Sequence, residues 1–451
     1  MIHQIRVKGL FGLYDYDIAF PQKPAVKLLT GPNGYGKTTL LKAIYHLFKG
    51  NFWFFHFLDF KEISVTVSDF DGGYKVSILK HSVPRSEPLL LEMDDESLEI
   101  DDESLLDIND ELAYEEIVRL TDKSDSVIES FTVNSKYIQS LLTKARRDGY
   151  RDNSSMHNED LLESSYDANE DDYLQYHCKN ISLALQEFNT RYLSAQRVFT
   201  KEIVRQPMRA IRHYTYEIDR VNHDIGFLYR KAQNEFATKS QQIDATFIKR
   251  LVQRSDSYSR DELRNKLNLL KKRIGDFKEL NIISNMELMD YSLDDDTSYK
   301  DLKKVLSLYV DDMNDKMDRF AELYQKMSLF KRVVTNKVLS EKTIELSEDG
   351  LTVININGRV LGDLHKLSSG EQNLLILYFD LIFRSNGKTI LLIDEPENSL
   401  HVAWQSKMLD DYIEMANTTG CQIVLATHSP TFVNGRWDLT TDLYRQFKGI
   451  D

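Results

Sequence analysis

The spacing of hydrophobic residues changes several times along the chain, and each change predicts a different kind of element. Near the N-terminus, short apolar runs separated by polar residues are typical of strands. These runs lie at residues 2–7, 16–20, 26–30, 63–67 and 74–79. Residues 39–44 instead have apolar positions at helical spacing. The pattern predicts an α/β lobe over residues 1–90.

The middle of the chain has a helical pattern. Residues 201–340 contain few Pro or Gly residues, and their apolar positions recur every three or four residues. We expect two or three helices that turn near residues 255–259 and 281–296 and form an arm of helical hairpins. The apolar repeats are not sustained as heptads, so an extended coiled-coil rod is not expected.

A strand pattern returns after the arm. Two strands are expected at residues 343–346 and 351–356, and two later runs, 389–393 and 423–427, are apolar at almost every position. Such continuous runs are typical of strands buried on both faces. The predicted fold is therefore an α/β head, with a mixed sheet flanked by helices, that carries an inserted helical-hairpin arm.

Residues 91–180 differ from both patterns because they are polar and acidic. The sequence DDESL occurs at residues 94–98 and again at 101–105. So many like charges oppose a stable isolated helix, and we expect a solvated, partly mobile insertion. A docking surface for a basic partner is the alternative, and the sequence leaves the role of this insertion open.

Length and composition narrow the possibilities further. A chain of 451 residues is too long for one ordinary core, so two or three units are expected. The expected segments are an N-terminal head lobe, the acidic insertion, a head strand, the arm and a C-terminal head lobe, at residues 1–90, 91–180, 181–200, 201–340 and 341–451. A net charge of −14 argues against bulk electrostatic coating of nucleic acid, but it leaves a local basic patch possible.

Cysteine content and the apolar runs bear on the compartment. The two cysteines, Cys178 and Cys421, are far apart and have no metal-like spacing, which fits a reducing, cytoplasmic location. The N-terminus has no apolar stretch typical of a signal peptide. The most apolar run, residues 52–60, contains His56 and Asp59 and is too short to cross a bilayer. We expect that run to be buried, and we expect no contact with membranes.

The strongest local pattern is GPNGYGKT at residues 31–38, between a predicted strand and a predicted helix. This is the Walker A pattern, in which backbone N–H groups and the positive end of the helix surround phosphates. Lys37 is expected to neutralise charge on the β- and γ-phosphates of ATP, and the Thr38 hydroxyl is expected to ligate Mg²⁺. The remaining residues expected to bind nucleotide in this loop are Asn33, Gly34, Tyr35, Gly36 and Thr39.

Two further features concern the same nucleotide. A short predicted strand at residues 191–195 is followed by Gln196, which is expected to reach Mg²⁺ and the attacking water. Phe11 or Tyr14, near the first predicted turn, is a candidate to stack on adenine. An aromatic residue in a strand is more often part of the core, so both interpretations stay open here.

A second anion-binding pattern is LSSGEQ at residues 367–372, at the start of a long apolar helix. Ser and Gly at a helix N-terminus offer N–H groups, a hydroxyl and the helix dipole. The residues expected to bind nucleotide here are Ser368, Ser369, Gly370 and Glu371. This site cannot easily serve the same phosphates as residues 31–38 within one subunit, but a γ-phosphate across a dimer interface would explain both.

The buried strand at residues 389–393 leads into acidic residues. Asp394 is expected to hold Mg²⁺ through water, and Glu395 is placed to polarise the water that attacks the γ-phosphate. The run at residues 423–427 ends at His428, which is expected to contact the γ-phosphate. A lone histidine is usually structural, so the position of His428 after this strand is what favours a catalytic role.

The order of these patterns resembles that of ATP-binding-cassette ATPases. The resemblance covers residues 1–90, 190–200 and 340–440, and it includes the sequence SLH at residues 399–401, expected at the subunit interface. A helical arm before the Ser-Gly pattern is similar to the SMC, RecF and OLD-like branch. The resemblance implies that two heads enclose two ATP molecules, each completed by Ser369 and Gly370 of the neighbouring subunit.

Within this branch, the sequence contains no Cys-x-x-Cys of the kind found in zinc-hook proteins. OLD nucleases continue past the terminal histidine into a TOPRIM domain, whereas this sequence ends about one helix after His428, so any nuclease is expected to be a separate protein. The segment NGRWDLT at residues 434–440 resembles the tail of stand-alone ATPases in anti-phage operons, most of all the AriA-like ATPases of PARIS defence systems. That resemblance implies a homo-oligomer, and slow ATP hydrolysis is expected because it would suit a protein that guards an effector. It also implies a separate TOPRIM-type (AriB-like) nuclease effector, released when a phage-encoded protein is sensed. A RecF-like or SMC-like DNA-repair ATPase and a Septu- or retron-type ATPase are the alternatives, and DNA binding stays open.

Overall fold

The computed structural model describes residues 1–67, 73–82, 114–133, 135–147, 178–194, 199–206, 209–284, 286, 296–337, 339, 341–398 and 402–449. The acidic repeats at 94–105, Gln196 and residues 399–401 lie outside this part of the chain, and the expectations for them stay predictions. The chain divides into two compact units. The first comprises Met1–Gln196, Lys201–Tyr214 and Ser385–Asp451, and the second comprises Arg197–Thr200 and Thr215–Arg384.

The described strands and helices follow the order expected for an α/β fold with a helical insertion. The strands are β1 (Ile2–Leu10), β2 (Tyr14–Ala19), β3 (Val26–Thr30), β4 (Glu62–Val67), β5 (Tyr74–Ser82), β6 (Tyr114–Thr121), β7 (Val127–Val133), β8 (Asn189–Leu193), β9 (Phe199–Gln206), β10 (Arg209–Tyr216), β11 (Lys342–Ser347), β12 (Gly350–Asn355), β13 (Val360–Leu361), β14 (Thr389–Asp394), β15 (Gln422–Ala426) and β16 (Thr440–Asp442). The helices are α1 (Lys37–Lys49), α2 (Trp53–Phe57), α3 (Ser135–Arg147), α4 (Lys179–Gln186), α5 (Glu217–Gln253), α6 (Arg260–Glu279), α7 (Asp296–Met317), α8 (Ala321–Lys337), α9 (Ser369–Phe383), α10 (Val402–Thr419), α11 (Pro430–Val433) and α12 (Leu443–Lys448). Across these ranges, no helix is both long enough and apolar enough to cross a membrane.

The first unit contains a five-stranded sheet in the order β16-β3-β15-β14-β8. Each neighbouring pair in this sheet is parallel. Every residue of β14 and of β15 is buried, as the continuous apolar runs predicted. Because parallel strands end at the same edge, the residues that follow β3, β14 and β15 lie close together.

A six-stranded antiparallel sheet, in the order β2-β1-β4-β5-β6-β7, completes the first unit. Its inward side chains share one apolar core with α1, α2 and the parallel sheet. Gln422 on β15 joins the two sheets, since its side chain accepts a hydrogen bond from Ile2 N at 2.7 Å and donates one to Ile2 O at 2.9 Å. The predicted mixed sheet is thus two sheets, one parallel and one antiparallel. Within the apolar run at residues 52–60, Trp53–Phe57 form the helix α2, and the first four of these residues are buried.

The second unit is built on long helices, and its charged residues hold two of them together. Helices α5 and α7 run antiparallel and are joined by three ion pairs, and a fourth comes from Arg254, the C-cap residue of α5. These pairs are Lys239–Asp315, Lys316–Asp244, Arg250–Asp312 and Arg254–Asp311. A small sheet, in the order β11-β12-β13, and helix α9 belong to the same unit. The α/β fold class and the helical insertion are therefore confirmed.

The prediction of helix from residue 201 onward is wrong at its start. Residues 199–206 and 209–216 form β9 and β10, which pair as a two-stranded sheet. The sequence contains the reason: Pro207 interrupts any helix there, and β-branched and aromatic residues are frequent on both sides of it. Continuous helix begins only at Glu217, with α5.

Candidate nucleotide-binding site

The loop between β3 and α1 has the backbone that its glycines predicted. Gly31, Gly34 and Gly36 have backbone φ values of 143°, 85° and 77°, which residues other than glycine rarely adopt. Gly36 is the N-cap of α1, and no side chain caps this helix. A Cβ on Gly36 would lie 2.9 Å from Cδ2 of Leu10. The N–H groups of the first turn of α1 are consequently available to an anion, as a phosphate site requires.

Lys37 is the first residue of α1, and its side chain turns back onto the loop. Its Nζ donates hydrogen bonds to the carbonyl oxygens of Gly31 at 2.8 Å and Pro32 at 2.9 Å. Burial lowers the pKa of Lys37 from its ordinary value, and four neighbouring carboxylates oppose this shift without cancelling it. These carboxylates belong to Asp394, Glu395, Glu397 and Asp442. Lys37 is therefore a partly desolvated cation held among backbone carbonyls at the phosphate loop.

The hydroxyl of Thr38 meets the carboxylate at the end of β14. Thr38 Oγ1 donates a hydrogen bond to Asp394 Oδ2 at 2.9 Å, across 356 residues of sequence. Tyr192, on the neighbouring strand β8, donates its hydroxyl to the same oxygen at 3.3 Å. The side-chain atoms that meet here are all oxygen atoms, and oxygen atoms are the ligands that Mg²⁺ prefers. The residues present therefore fit a Mg²⁺ ion held through Thr38 and Asp394.

Glu395 has an unusual backbone at the same edge of the sheet. Its φ of 45° lies in the left-handed region, which non-glycine residues occupy mainly at turns and functional sites. The turn is fixed because Glu395 N donates to Ala426 O at 2.9 Å and Asn398 N donates to Glu395 O at 3.0 Å. The Glu395 side chain is 43% exposed. This turn therefore carries a solvent-accessible carboxylate at the edge of the sheet where Asp394 lies.

His428 follows β15 and lies between two of the charged residues of the site. Its Nδ1 is 3.3 Å from Nζ of Lys37, and its Nε2 is 3.9 Å from Oε1 of Glu395. The structure thus brings together five residues that sequence analysis assigned to one site. They are Lys37, Thr38, Asp394, Glu395 and His428. Asn33, Gly34, Tyr35 and Gly36 lie in the adjoining loop, and Thr39 lies in the first turn of α1.

The two adenine candidates differ in their surroundings. Tyr14 packs against Tyr16, Tyr35 and Phe447, with ring centroids 5.9, 5.3 and 5.0 Å away. Phe11 is 40% exposed, and its Cε2 would lie 3.4 Å from a Cβ on Gly36. Tyr14 is therefore part of an aromatic cluster beside the phosphate loop. Phe11 contacts that cluster at Tyr14, with ring centroids 6.4 Å apart, but it keeps an exposed ring next to the loop.

The Ser-Gly pattern starts helix α9 in the second unit. Ser368 is the N-cap, and it forms a capping box with Glu371: Glu371 N donates to Ser368 Oγ at 3.3 Å, and Ser368 N donates to the Glu371 carboxylate at 2.9 Å. Lys342 Nζ lies 2.6 Å from the other oxygen of Glu371. Burial alone would raise the pKa of Glu371, but Lys342 and Ser368 together lower it. Ser369 and Gly370 take no part in this cap, and Ser369 is exposed.

Two residues of the first unit were missed by sequence analysis. Tyr192 is predicted only as part of the strand before Gln196, although its hydroxyl contacts Asp394. Glu397 has no predicted role, although it contacts Thr427 and His428 N. The available signal was the position of both residues at the carboxyl ends of strands in a parallel sheet, where ligand sites form.

Comparison with known proteins gives the family. The chain matches the sequence profile of the AAA ATPase domain AAA_15 over residues 1–433. A search among curated proteins finds no significant match.

Among solved structures, SMC heads are similar to this chain at low identity. The Smc head domain with an extended coiled coil bound to the C-terminal domain of ScpA, from Pyrococcus furiosus, is 13% identical, with a TM-score of 0.34. A second SmcHead, bound to the C-winged helix domain of ScpA, is 12% identical, with a TM-score of 0.33. The SMC head domain from Thermotoga maritima is 10% identical, with a TM-score of 0.31. Each alignment covers 96% of this chain and 90% of the other.

TM-scores and identities this low do not define a function. The profile match spans far more than half of the sequence and includes the phosphate loop, the end of β14 and His428. The chain belongs to the AAA ATPase domain family AAA_15.

Proposed function

We propose that this protein binds and hydrolyses ATP with Mg²⁺ at the site formed by residues 31–38 and the ends of β14 and β15. The observation that carries this proposal is the hydrogen bond of 2.9 Å between Thr38 Oγ1 and Asp394 Oδ2 beside the buried Lys37 cation. A structural glycine turn has no need of a buried cation and an oxygen-rich pair at one strand edge. Phosphate binding uses both.

The roles of the residues follow from their positions. The loop N–H groups and Lys37 bind the phosphates, and Thr38 and Asp394 hold the metal. Mg²⁺ bound there would neutralise phosphate charge and orient the γ-phosphate. Glu395, with its accessible carboxylate, polarises the attacking water. His428 lies within reach of both Lys37 and Glu395, so it contacts the γ-phosphate end of the nucleotide. Gln196 is assigned to the metal and the water by its place in the sequence alone.

The second part of the proposal is a head-to-head homodimer around ATP, with a larger homo-oligomer as an extension. Ser369 and Gly370 follow the cap of α9 and leave their N–H groups out of it. These two residues complete the site of the neighbouring subunit. Ser368 and Glu371 keep the helix end in shape, since their side chains bond to each other.

The biological role proposed is that of a cytoplasmic sensor and scaffold in a bacterial anti-phage system. In this role the ATP-bound oligomer holds a separate TOPRIM-type nuclease and releases it when a phage-encoded protein is sensed. Slow hydrolysis suits such a guard, because a fast cycle stores no information. Support comes from the order of motifs, the short helical arm and the sequence at residues 434–440. The competing role, a RecF-like or SMC-like repair ATPase, requires DNA-stimulated hydrolysis with a steep salt dependence.

The test uses Glu395→Gln, which removes the base and spares Asp394 and the metal. We expect turnover to fall about 100-fold or more, while ATP stays bound and the dimer accumulates. Single-turnover hydrolysis, ATP binding and sedimentation measure these three quantities. Glu414→Gln, at an exposed position on α10, is the matched control and should behave like the wild type. Unchanged turnover in Glu395→Gln would show that Glu395 is not the base.

The same variant tests the biological role. It is expressed in its native host and isolated with ATP, and the proteins and nucleic acids bound to it are identified. A stoichiometric nuclease encoded in the neighbouring gene supports the scaffold. Recovery of DNA and repair factors instead supports the repair ATPase and overturns the scaffold.

A further inference from the structure

Glu397 lies three residues after Asp394 and makes two contacts with the residues that follow β15. Its Oε1 accepts a hydrogen bond from Thr427 Oγ1 at 2.5 Å and another from His428 N at 3.1 Å. Hydrogen bonds to an ionised carboxylate are shorter and stronger than those between neutral groups. Glu397 therefore binds the backbone of His428 directly.

These contacts are part of a larger link between two segments of the site. The turn at residues 394–398 is joined to the end of β15 by the bond from Glu395 N to Ala426 O, at 2.9 Å, and by both contacts of Glu397. One segment carries the metal ligand and the base, and the other carries His428. A shift of the turn would consequently move His428.

Holding the turn through Glu397 has a free-energy cost, which comes from the second oxygen of its carboxylate. Among the described residues, Glu397 Oε2 is buried and has no hydrogen-bond partner. A buried oxygen without a partner has a free-energy cost that a neutral acceptor in the same place would reduce. The carboxylate also lies close enough to Lys37 to raise the pKa of that residue, against the effect of burial. Glu397 is therefore close to Lys37 as well as to His428.

We infer that Glu397 is a positioning residue that holds His428 against Lys37 and couples its place to the turn that carries Asp394 and Glu395. The inference rests on the proposed ATP hydrolysis, and it adds a residue that acts through His428. Glu397 does not itself reach the phosphates: the hydrogen bonds of its Oε1 go to Thr427 and His428 N, and Oε2 is buried. Its removal frees His428 without removing the imidazole.

The first experiment is a double-mutant cycle between Glu397→Ala and His428→Ala, with kcat and KM for ATP measured for each variant. Misplacement of a catalytic group by about 1 Å costs about 100-fold, so we expect each single variant to lose about 10- to 100-fold in kcat with little change in KM. The double variant should be no slower than His428→Ala by more than about threefold, because Glu397 acts through the imidazole. Glu397→Gln keeps the acceptor oxygen and should recover most of kcat.

The second experiment needs no hydrolysis. Hydrogen exchange at the amide of His428 is measured in the nucleotide-free protein, in fragments that span residues 424–430. We expect exchange to be about tenfold faster in Glu397→Ala and close to the wild-type rate in Glu397→Gln. Glu397→Asp keeps the charge but shortens the reach by one methylene, so it should resemble Glu397→Ala and replaces it if that variant does not fold.

The outcomes separate this inference from the proposed function. Losses of kcat that multiply in the double variant, or unchanged exchange at His428, overturn the positioning role. A wild-type protein that binds ATP but never hydrolyses it overturns the proposed function instead. In that case the exchange measurement alone decides whether Glu397 holds His428.

Discussion

Helices α1 and α9 both begin at a sequence that predicts an anion site, but the structure gives their first turns different partners. Helix α1 starts after Gly36, whose φ is 77°, and has no side-chain cap. Helix α9 starts after Ser368, which forms a closed capping box with Glu371. The first helix end keeps its N–H groups open, whereas the second satisfies one of them within the chain.

In the proposed function, the end of α1 belongs to a nucleotide site that one chain largely forms, whereas the end of α9 supplies only part of such a site. Lys37, Thr38 and Asp394 lie at the open end of α1, so one chain supplies the cation and the proposed metal ligands there. At α9, only the N–H groups of Ser369 and Gly370 are left over from the cap. Two N–H groups with a small hydroxyl suit contact with an anion already bound elsewhere. This is the role that the proposed dimer gives to α9.

The largest expected effect comes from removing the charge at α1. Lys37→Ala should weaken ATP binding about 100-fold or more, because it removes the charge-assisted hydrogen bonds to phosphate oxygens. Titration of a fluorescent ATP analogue measures the dissociation constant. Lys49→Ala, at the other end of the same helix, is the control and should bind ATP like the wild type. Near-normal binding by Lys37→Ala would mean that α1 is not the phosphate site, and the contrast with α9 would lose its basis.

The features of α1 and its loop that the sequence predicts are those that depend on residues close together in the chain. Gly31, Gly34 and Gly36 lie at fixed spacing because the backbone needs positive φ at those positions, and spacing is visible in a sequence. The buried strands β14 and β15 were also predicted from a local signal, a continuous run of apolar residues. Their C-terminal ends then located Asp394 and His428.

Contacts between distant residues could not be predicted in the same way. Tyr192 and Asp394 are 202 residues apart, and their contact depends on β8 pairing with β14. The role of Glu397 depends on which way its side chain turns after a residue with φ of 45°. Strands β9 and β10 were missed because a helix-rich composition over residues 201–340 outweighed the local signal of Pro207. Sequence patterns report the residue types at a site, whereas the partners of a side chain follow from tertiary structure.

A smaller effect separates the two serines at α9. Ser368→Ala removes the cap and should lower stability by about 1 kcal/mol. Ser369→Ala should change stability by less than about 0.5 kcal/mol, because Ser369 is exposed and takes no part in the cap. It should nevertheless reduce ATP-dependent dimerisation about tenfold, through the loss of one hydrogen bond to an anion.

Urea unfolding and sedimentation with ATP, both in the Glu395→Gln background, measure the two quantities. Each serine variant serves as the control for the other. If Ser369→Ala dimerised normally, α9 would be a capped structural helix and the proposed sharing of sites between subunits would be wrong. If Ser368→Ala were fully stable, the capping box would not explain the difference between α9 and α1.

The smallest effect is a difference in how the two helix ends respond to pH. The pKa of Glu371 is lowered in the folded protein, so its contribution to stability is complete above the ordinary glutamate value of 4.5 and is lost as the pH falls through the folded value. Lys37 has the opposite sign. Because burial lowers its pKa below 10.5, its charged form destabilises the fold at neutral pH, and this cost is relieved only as the pH rises through its folded value.

Glu371→Gln tests the acidic half of this contrast. At pH 7 the variant should be less stable than the wild type, since glutamine cannot form the ion pair with Lys342. Below pH 4.5 the difference in free energy of unfolding should shrink, because a protonated Glu371 has also lost that pair. Urea unfolding at several pH values measures the difference, and Glu345→Gln, at an exposed position on β11, should show no comparable trend. A difference that stayed constant down to pH 3 would mean that the charge of Glu371 does not hold the start of α9. The closed cap would then rest on its hydrogen bonds alone, and the two helix ends would differ in geometry but not in electrostatics.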